Sequence, residues 1–205
     1  EFFEDDFGFV VGTVRDSLTP LDSTSVYFFY NGIYLYDKAL TDESGNYQIE
    51  LPEGEYTIAA ERNGYYVLFK DSTYDPFFAE LVEIDDGVTT TINFNMKKLN
   101  DFTKSISGQV FDSTNNINMD KGIIIVRTGT HVPTPFANDN PTVPDPINAV
   151  AGFIKPDGSF TVYTEFENYY YLQAYTDYFL PGYFNDEGVA SVFWQNADSI
   201  LINGN

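Results

Sequence analysis

The chain has no cysteine, one histidine, one tryptophan and only 10 Lys or Arg among its 205 residues. Without cysteine there is no disulfide and no thiol nucleophile, so outside a reducing compartment packing alone would have to hold the fold. A lone imidazole, His131, excludes a His/Cys zinc set and leaves one candidate for any Ser-His-Asp arrangement. It sits in a Pro-rich stretch with no carboxylate at a telling spacing, and reads as a loop residue. No apolar run approaches the roughly 18 residues of a membrane span. The chain opens Glu1-Phe2-Phe3-Glu4, with neither an initiator Met nor a basic leader, and the expectation is a processed, mature chain. No stretch shows sustained helical periodicity.

What the chain does have is acid and aromatics. Asp and Glu number 31, giving a net charge of −21 and a pI near 4.1, which makes nucleic acid and anionic membrane surfaces repelled partners. Tyr and Phe number 16 and 19 and fall mainly in runs of strand-forming residues, an all-β composition. Oxygen ligands for calcium exist at Asp139 and Asp145, beside Asn138 and Asn140, and in the turn Asn185-Asp186-Glu187. None has the Asp-x-Asp/Asn-x-Asp/Asn-Gly spacing of a calcium loop, so they read as solvated turns, with no metal and no cofactor expected. Tyr and Phe runs such as Tyr169-Tyr170-Tyr171 could offer a stacking platform, but alternate rings of a strand face the core, and packing is the preferred reading.

Residues 40–60 organise the rest. Thr41-Asp42-x-x-Gly45 marks a tight turn, Tyr47, Ile49 and Leu51 alternate on one strand face, Pro52 to Gly54 turns again, and Tyr56, Ile58 and Ala60 alternate on a second strand. With Gly12-Thr13-Val14-Arg15-Asp16 upstream and Gly64-Tyr65-Tyr66 downstream, this stretch resembles the signature of the carboxypeptidase regulatory-like family. That resemblance implies a small transthyretin-like β-sandwich. Fold alone does not imply function. The zinc domain that gives the family its name has no counterpart here, nor do the several histidines of transthyretin-like hydrolases, so no enzyme is expected.

The second half repeats the first. Gly108-Gln109-Val110-Phe111-Asp112-Ser113 matches residues 12–17, and Asp157-Gly158-Ser159-Phe160-Thr161-Val162 matches residues 44–49. The offset grows from 96 at Gly108 to 113 at Gly158, so the second copy carries 17 more residues between them. These fall in the Pro/Asn/Asp-rich stretch 130–148, read as a long loop. The expected architecture is all-β, two tandem transthyretin-like or Ig-like sandwiches. Residues 1–6 form an N-terminal extension, 7–98 the first domain, 99–104 a short semi-rigid linker and 105–205 the second domain. Aligning residues 81–87 with 199–204, the first domain continues through a further strand, Val88 to Met96, that the second is expected to lack.

An open sandwich exposes backbone polar groups and core together, so a neighbour's strand is expected to fill it. Type V pilins, by resemblance only, also consist of two transthyretin-like domains. The expected function is a non-enzymatic subunit of an extracellular, pilus-like fibre that polymerises head to tail. The expected donor is the N-terminal segment, through Phe3, Phe7, Phe9 and Val11, and the expected acceptor is Ser199, Ile200, Leu201 and Ile202. At about 3.3 Å per residue, the six residues before the first strand reach about 20 Å. The alternative is a carbohydrate-binding or stalk module of a larger cell-surface protein. Five Asp-Ser-(Leu/Thr/Ile) triplets, at Ser17, Ser23, Ser72, Ser113 and Ser199, resemble the acceptor of a bacterial O-glycosylation system acting on exported proteins. Their competing reading is Asx-turn chemistry. The expected partners are therefore further copies of the chain and covalent O-glycans.

Overall fold

Even positions near the start carry small or branched residues, and the first strand, β1 (Phe7–Asp16), buries Gly8, Val10, Gly12 and Val14 while Phe7, Phe9, Val11 and Thr13 stay half-buried. The computed structural model describes residues 6–30, 34–100, 104–128, 149–164, 167–177, 179–188, 190–193 and 196–203. They divide into two units, Glu1–Lys98 and Leu99–Asn205.

In unit 1, β1 is paired on both edges. Along one edge β5 (Asn46–Pro52) runs antiparallel, with Val10 opposite Ile49 and Gly12 opposite Tyr47. Along the other the closing strand runs parallel, as β9 (Thr89–Thr91) against Phe9 to Val11 and β10 (Phe94–Asn95) against Val14 and Arg15. A short β2 (Thr19–Pro20) folds back on the end of β1. The second sheet has β3 (Ser25–Tyr30) between β4 (Tyr34–Leu40) and β6 (Gly54–Glu61), with β7 (Leu68–Phe69) and β8 (Val82–Ile84) both on the far edge of β6. Val10, Val14 and Tyr47 from one sheet meet Phe28, Tyr56 and Ile58 from the other, and Ile92, Phe94 and Met96 complete this core from the closing strand.

The signature turn is built as its residues demand. The Asp42 carboxylate accepts the N–H groups of Ser44 (2.8 Å) and Asn46 (2.9 Å), an Asx-type turn. Gly45 has φ +75°, the left-handed region, and a Cβ there would lie 2.6 Å from the Val14 carbonyl oxygen, so conformation and space both call for glycine. Thr41 donates to Leu21 O (2.6 Å) and accepts from Thr24 N–H (2.9 Å), tying the turn to the loop before β3.

Residues 77–84 form a strand only over their last three positions, β8. Pro76–Phe78 is one turn of 3-10 helix, because Pro76 sits at its start, where no N–H is needed, and Asp75 accepts the Phe77 N–H at 3.1 Å. Pairing resumes only at Val82. Residues 65–70 likewise supply the two-residue β7 and a single bridge between Tyr65 and Lys98.

Unit 2 repeats this plan. β11 (Ser105–Gln109) pairs antiparallel with β16 (Ser159–Tyr163), placing Gly108 opposite Phe160 as Gly12 lies opposite Tyr47. The hairpin of β12 (Phe111–Asp112) and β13 (Ile117–Asn118) stands where the end of β1 meets β2. The second sheet runs β15 (Ala149–Phe153), β14 (Ile123–Thr128), β17 (Asn168–Tyr175), β18 (Gly182–Tyr183), with β19 (Ile200–Ile202) also on β17. Even the turn bond recurs: Val14 N–H donates to Gly45 O at 2.8 Å and Val110 N–H to Gly158 O at 2.9 Å. Residues 179–183 and 191–193 contribute β18 and a single bridge between Tyr183 and Ser191.

Candidate functional site

The two units differ at one edge. After β8 the chain turns at Gly87 (φ +66°), crosses from the second sheet to the first, and zips along β1. Phe9 N–H donates to Val88 O (2.8 Å), Ile92 N–H to Val11 O (2.9 Å) and Met96 N–H to Arg15 O (2.7 Å), so the odd residues of β1 serve this edge. Between β9 and β10 the regular ladder is interrupted and side chains take over. Asn93 Oδ1 accepts from both the Thr13 N–H and its hydroxyl (2.9 Å each), and Asn95 Oδ1 accepts from Ser17 N–H (2.8 Å). Here the strand passes so close to β1 that a Cβ on Gly12 would collide with the Ile92 carbonyl. The Tyr47 hydroxyl donates to that same oxygen at 2.8 Å. Burial pushes the Tyr47 hydroxyl well above its usual range, so it stays protonated as that donor.

In unit 2, β19 occupies the place of β8: Ile202, Leu201 and Ile200 lie opposite Asn168, Tyr169 and Tyr170, as Ile84, Glu83 and Val82 lie opposite Gly54, Glu55 and Tyr56. Beyond it the parallel ends. Among the described residues, β11 is paired only with β16, and the edge that would correspond to β1 facing β9 and β10 carries no strand. Gly108 is exposed where Gly12 is buried, and Val110 is half-buried where Val14 is wholly buried. Phe111, at the end of this edge, is 50% exposed.

The expected site residues are placed as follows. Ile200, Leu201 and Ile202 are paired to β17, and Ser199 precedes them, exposed. β19 is thus paired on one edge to β17; in unit 1 the strand after β8 leaves that sheet and pairs with β1, whose counterpart in unit 2 is β11. Phe7, Phe9 and Val11 lie inside β1, both of whose edges are paired within the chain, and its core face is the even one rather than the odd one. Phe3 lies outside the described residues, as does the stretch 130–148 with His131, Asp139 and Asp145. The five candidate serines are all exposed. Ser17, Ser23 and Ser72 have φ of 53°, 51° and 63°, left-handed positions in turns, and Ser113 begins the turn between β12 and β13.

Little else invites chemistry. Asn185 Oδ1 accepts Glu187 N–H (3.1 Å) and Asp198 Oδ2 accepts Asp186 N–H (2.9 Å), so two polar side chains around this turn hold backbone rather than face one another. No group of three His, Asp or Glu able to hold a metal occurs among the described residues. An open groove of about 500 Å³ on unit 1 is lined by Thr13, Asn46, Gln48, Thr91 and Asn93, with Asp42 its one acid. That carboxylate is held below its usual range by the Asn46 and Ser44 N–H groups, a turn role rather than a proton-transfer one. No described helix is long and apolar enough to cross a membrane.

No protein-family model matches the chain, and no curated protein matches it either. Solved structures do. The Bacillus anthracis TIE protein is 12% identical with a TM-score of 0.35 over 83% of this chain and 28% of that one. A streptococcal ancillary pilin is 16% identical with a TM-score of 0.34 over 98% and 60%. A DUF3823 family protein from Parabacteroides merdae is 13% identical with a TM-score of 0.31 over 97% and 96%. The chain thus spans under two thirds of the first two. At these identities and TM-scores the likeness carries no information about partner or activity.

Proposed function

We propose that the chain is a non-enzymatic structural unit of a cell-surface, pilus-like fibre whose second sandwich is completed by a strand supplied from a neighbouring copy, so that units join head to tail. The observation that carries this reading is that, among the described residues, β11 is paired on one edge, set against β1 paired on both in a unit of the same plan. A sheet edge with unpaired N–H and C=O groups above a half-open core is a template for another strand, and natural proteins cover such edges. The acidic balance favours an assembly made by a directed backbone ladder over one made by charge, since copies at −21 repel one another at long range.

Negative-stain electron microscopy of the purified chain tests the reading, with linear fibres as the expected result and monodisperse particles at all concentrations as the opposing one. If the edge is instead filled from within a longer chain, the same two sandwiches serve as a stalk module and particles rather than fibres result. The five exposed Asp-Ser serines support an exported, O-glycosylated product, which intact mass of native material tests.

A further inference from the structure

Independently of strand completion, we propose that the outer face of the β1 sheet in unit 1 binds a neutral oligosaccharide, over a floor of Val11 and Phe9 and between the side chains of Asn46, Gln48, Thr91 and Asn93. The outer face of β1 is unusual for a solvated strand. Such a face ordinarily alternates to polar residues, yet here its odd positions carry Phe7, Phe9 and Val11, all half-buried. Register sets uncharged polar side chains on both flanks. Gln48 and Thr91 lie on either side of Val11, while Asn46 and Asn93 lie on either side of Thr13. These residues line the open groove of about 500 Å³, a volume in the range of small-molecule sites. Val11 and Thr13 are half-buried and the four flanking residues exposed, so β1 is the floor and its neighbours are the walls.

The lining selects the ligand. A sugar ring has an apolar C–H face and a rim of hydroxyls that donate and accept, which fits an apolar floor bordered by amides and hydroxyls. Adjacent strands lie about 4.8 Å apart and like-facing residues of one strand about 7 Å, so the groups around Val11 frame about one ring. Phe9, two positions along the same face, extends the floor under a second. Asn93 is set in advance: its Oδ1 accepts the Thr13 N–H and hydroxyl, which orients the amide and leaves its NH2 to donate. Among the described residues the Gln48 and Thr91 side chains make no hydrogen bond. In unit 2 the corresponding groups bond within the protein, Ser107 Oγ donating to Thr161 Oγ1 at 3.1 Å and Gln109 Nε2 to Asp157 O at 3.0 Å. Charge narrows the choice further. The groove lining holds no Lys or Arg, and its one acid, Asp42, already accepts the Ser44 and Asn46 N–H groups. Arg15 beyond Thr13 and Glu50 beside Phe9 oppose each other in sign, and a chain of net charge −21 repels polyanionic glycans.

The test is equilibrium dialysis of the full chain against fluorescently labelled cellohexaose, xylohexaose and mannohexaose, with hexagalacturonate beside them. The dialysis membrane retains the chain whether single or assembled, so sugar binding is read separately from fibre formation. The expected result is saturable uptake of at least one neutral hexamer, one per chain, and none of hexagalacturonate. Gln48→Ala and Thr91→Val, both at exposed positions, should each weaken uptake about fivefold, the loss of one hydrogen bond. Ser107→Ala in unit 2 should leave it unchanged, and circular dichroism matching the parent chain shows that each variant keeps its fold. Uptake of no neutral hexamer, uptake of hexagalacturonate in their place, or uptake indifferent to Gln48→Ala and Thr91→Val would each overturn the proposal. Sugar binding by a chain that forms no fibres would uphold the groove and remove only the fibre.

Discussion

Gly12 and Gly108 hold the same place in two strands of one repeated plan, yet Gly12 lies against the Ile92 backbone and Gly108 only against the edge of the Phe160 ring. A glycine is required where another backbone passes within contact of a strand, and it has no such reason where nothing passes. In unit 2 the close approach that is present comes from the Phe160 ring, 2.9 Å from where a Gly108 Cβ would stand.

The pair predicts asymmetric costs. Gly12→Ala forces a methyl into the Ile92 carbonyl and should destabilise unit 1 by about 1–3 kcal/mol or more, as overpacking does. Gly108→Ala meets only a side-chain ring and should cost under about 1 kcal/mol. Urea unfolding of the two variants, followed by aromatic fluorescence, checks the contrast; equal losses would mean that unit 2 is closed after all.

Tyr47→Phe makes unit 1 resemble unit 2 at this point, since Phe160 has no hydroxyl to offer. Losing the bond to the Ile92 carbonyl should cost about 1–3 kcal/mol, because that oxygen stays buried. Faster hydrogen exchange should appear in β9 and β10 before it appears in β5. Uniform exchange across the unit would show that the hydroxyl does not hold the closing strand.

Three turn carboxylates should make the fold sensitive to acid. N–H groups and neighbouring side chains hold Asp42, Asp112 and Asp157 below the ordinary value of 3.8; for Asp42 the largest cause is the Asn46 N–H, for Asp112 the Asn115 amide and for Asp157 the Ser159 hydroxyl. A depressed folded-state value means that the stabilisation is present above the unfolded value and lost as pH falls through the folded one. Thermal melts should therefore drop below about pH 4, and Asp42→Asn should flatten that drop for unit 1. An unchanged profile in the variant would remove Asp42 from the explanation.

Much of the fold was legible because it is local. Thr41-Asp42-x-x-Gly45, the alternation of Tyr47, Ile49 and Leu51, and the repeat at Gly108 and Phe160 each encode a turn or a strand within a few residues, and the structure places them in matching registers. The site was legible only in part, because it depends on which sheet the chain enters after a turn. Sequence alignment pairs residues 81–84 with 199–202 correctly, but it cannot show that the next strand crosses the sandwich to β1. In unit 1 the strand that follows β8 in sequence lies in space beside β1, some eighty residues earlier, a relationship no local pattern encodes. The shift of parity in β1 has a similar origin: Phe7 and Phe9 look like core residues by type, yet Gly8 and Gly12 take the inner face because the closing strand leaves no room there for side chains.

Intact mass of material from the native source addresses the serines. Exposed hydroxyls at Ser17, Ser23, Ser72, Ser113 and Ser199 predict additions of sugar mass above the bare 23.2 kDa chain, removed stepwise by Ser→Ala at these positions. A mass equal to the bare chain would leave these triplets as turn formers only.

The most direct test of the open edge is to fill it. A flexible glycine linker and a copy of residues 88–96, appended after Asn205, should dock on β11, raise the unfolding temperature of unit 2, and convert fibres of the parent chain into monomers by negative-stain microscopy and light scattering. Fibres that persist unchanged in the capped chain, or a parent chain that is already a monomer with no gain in unit 2 stability on capping, would contradict the account.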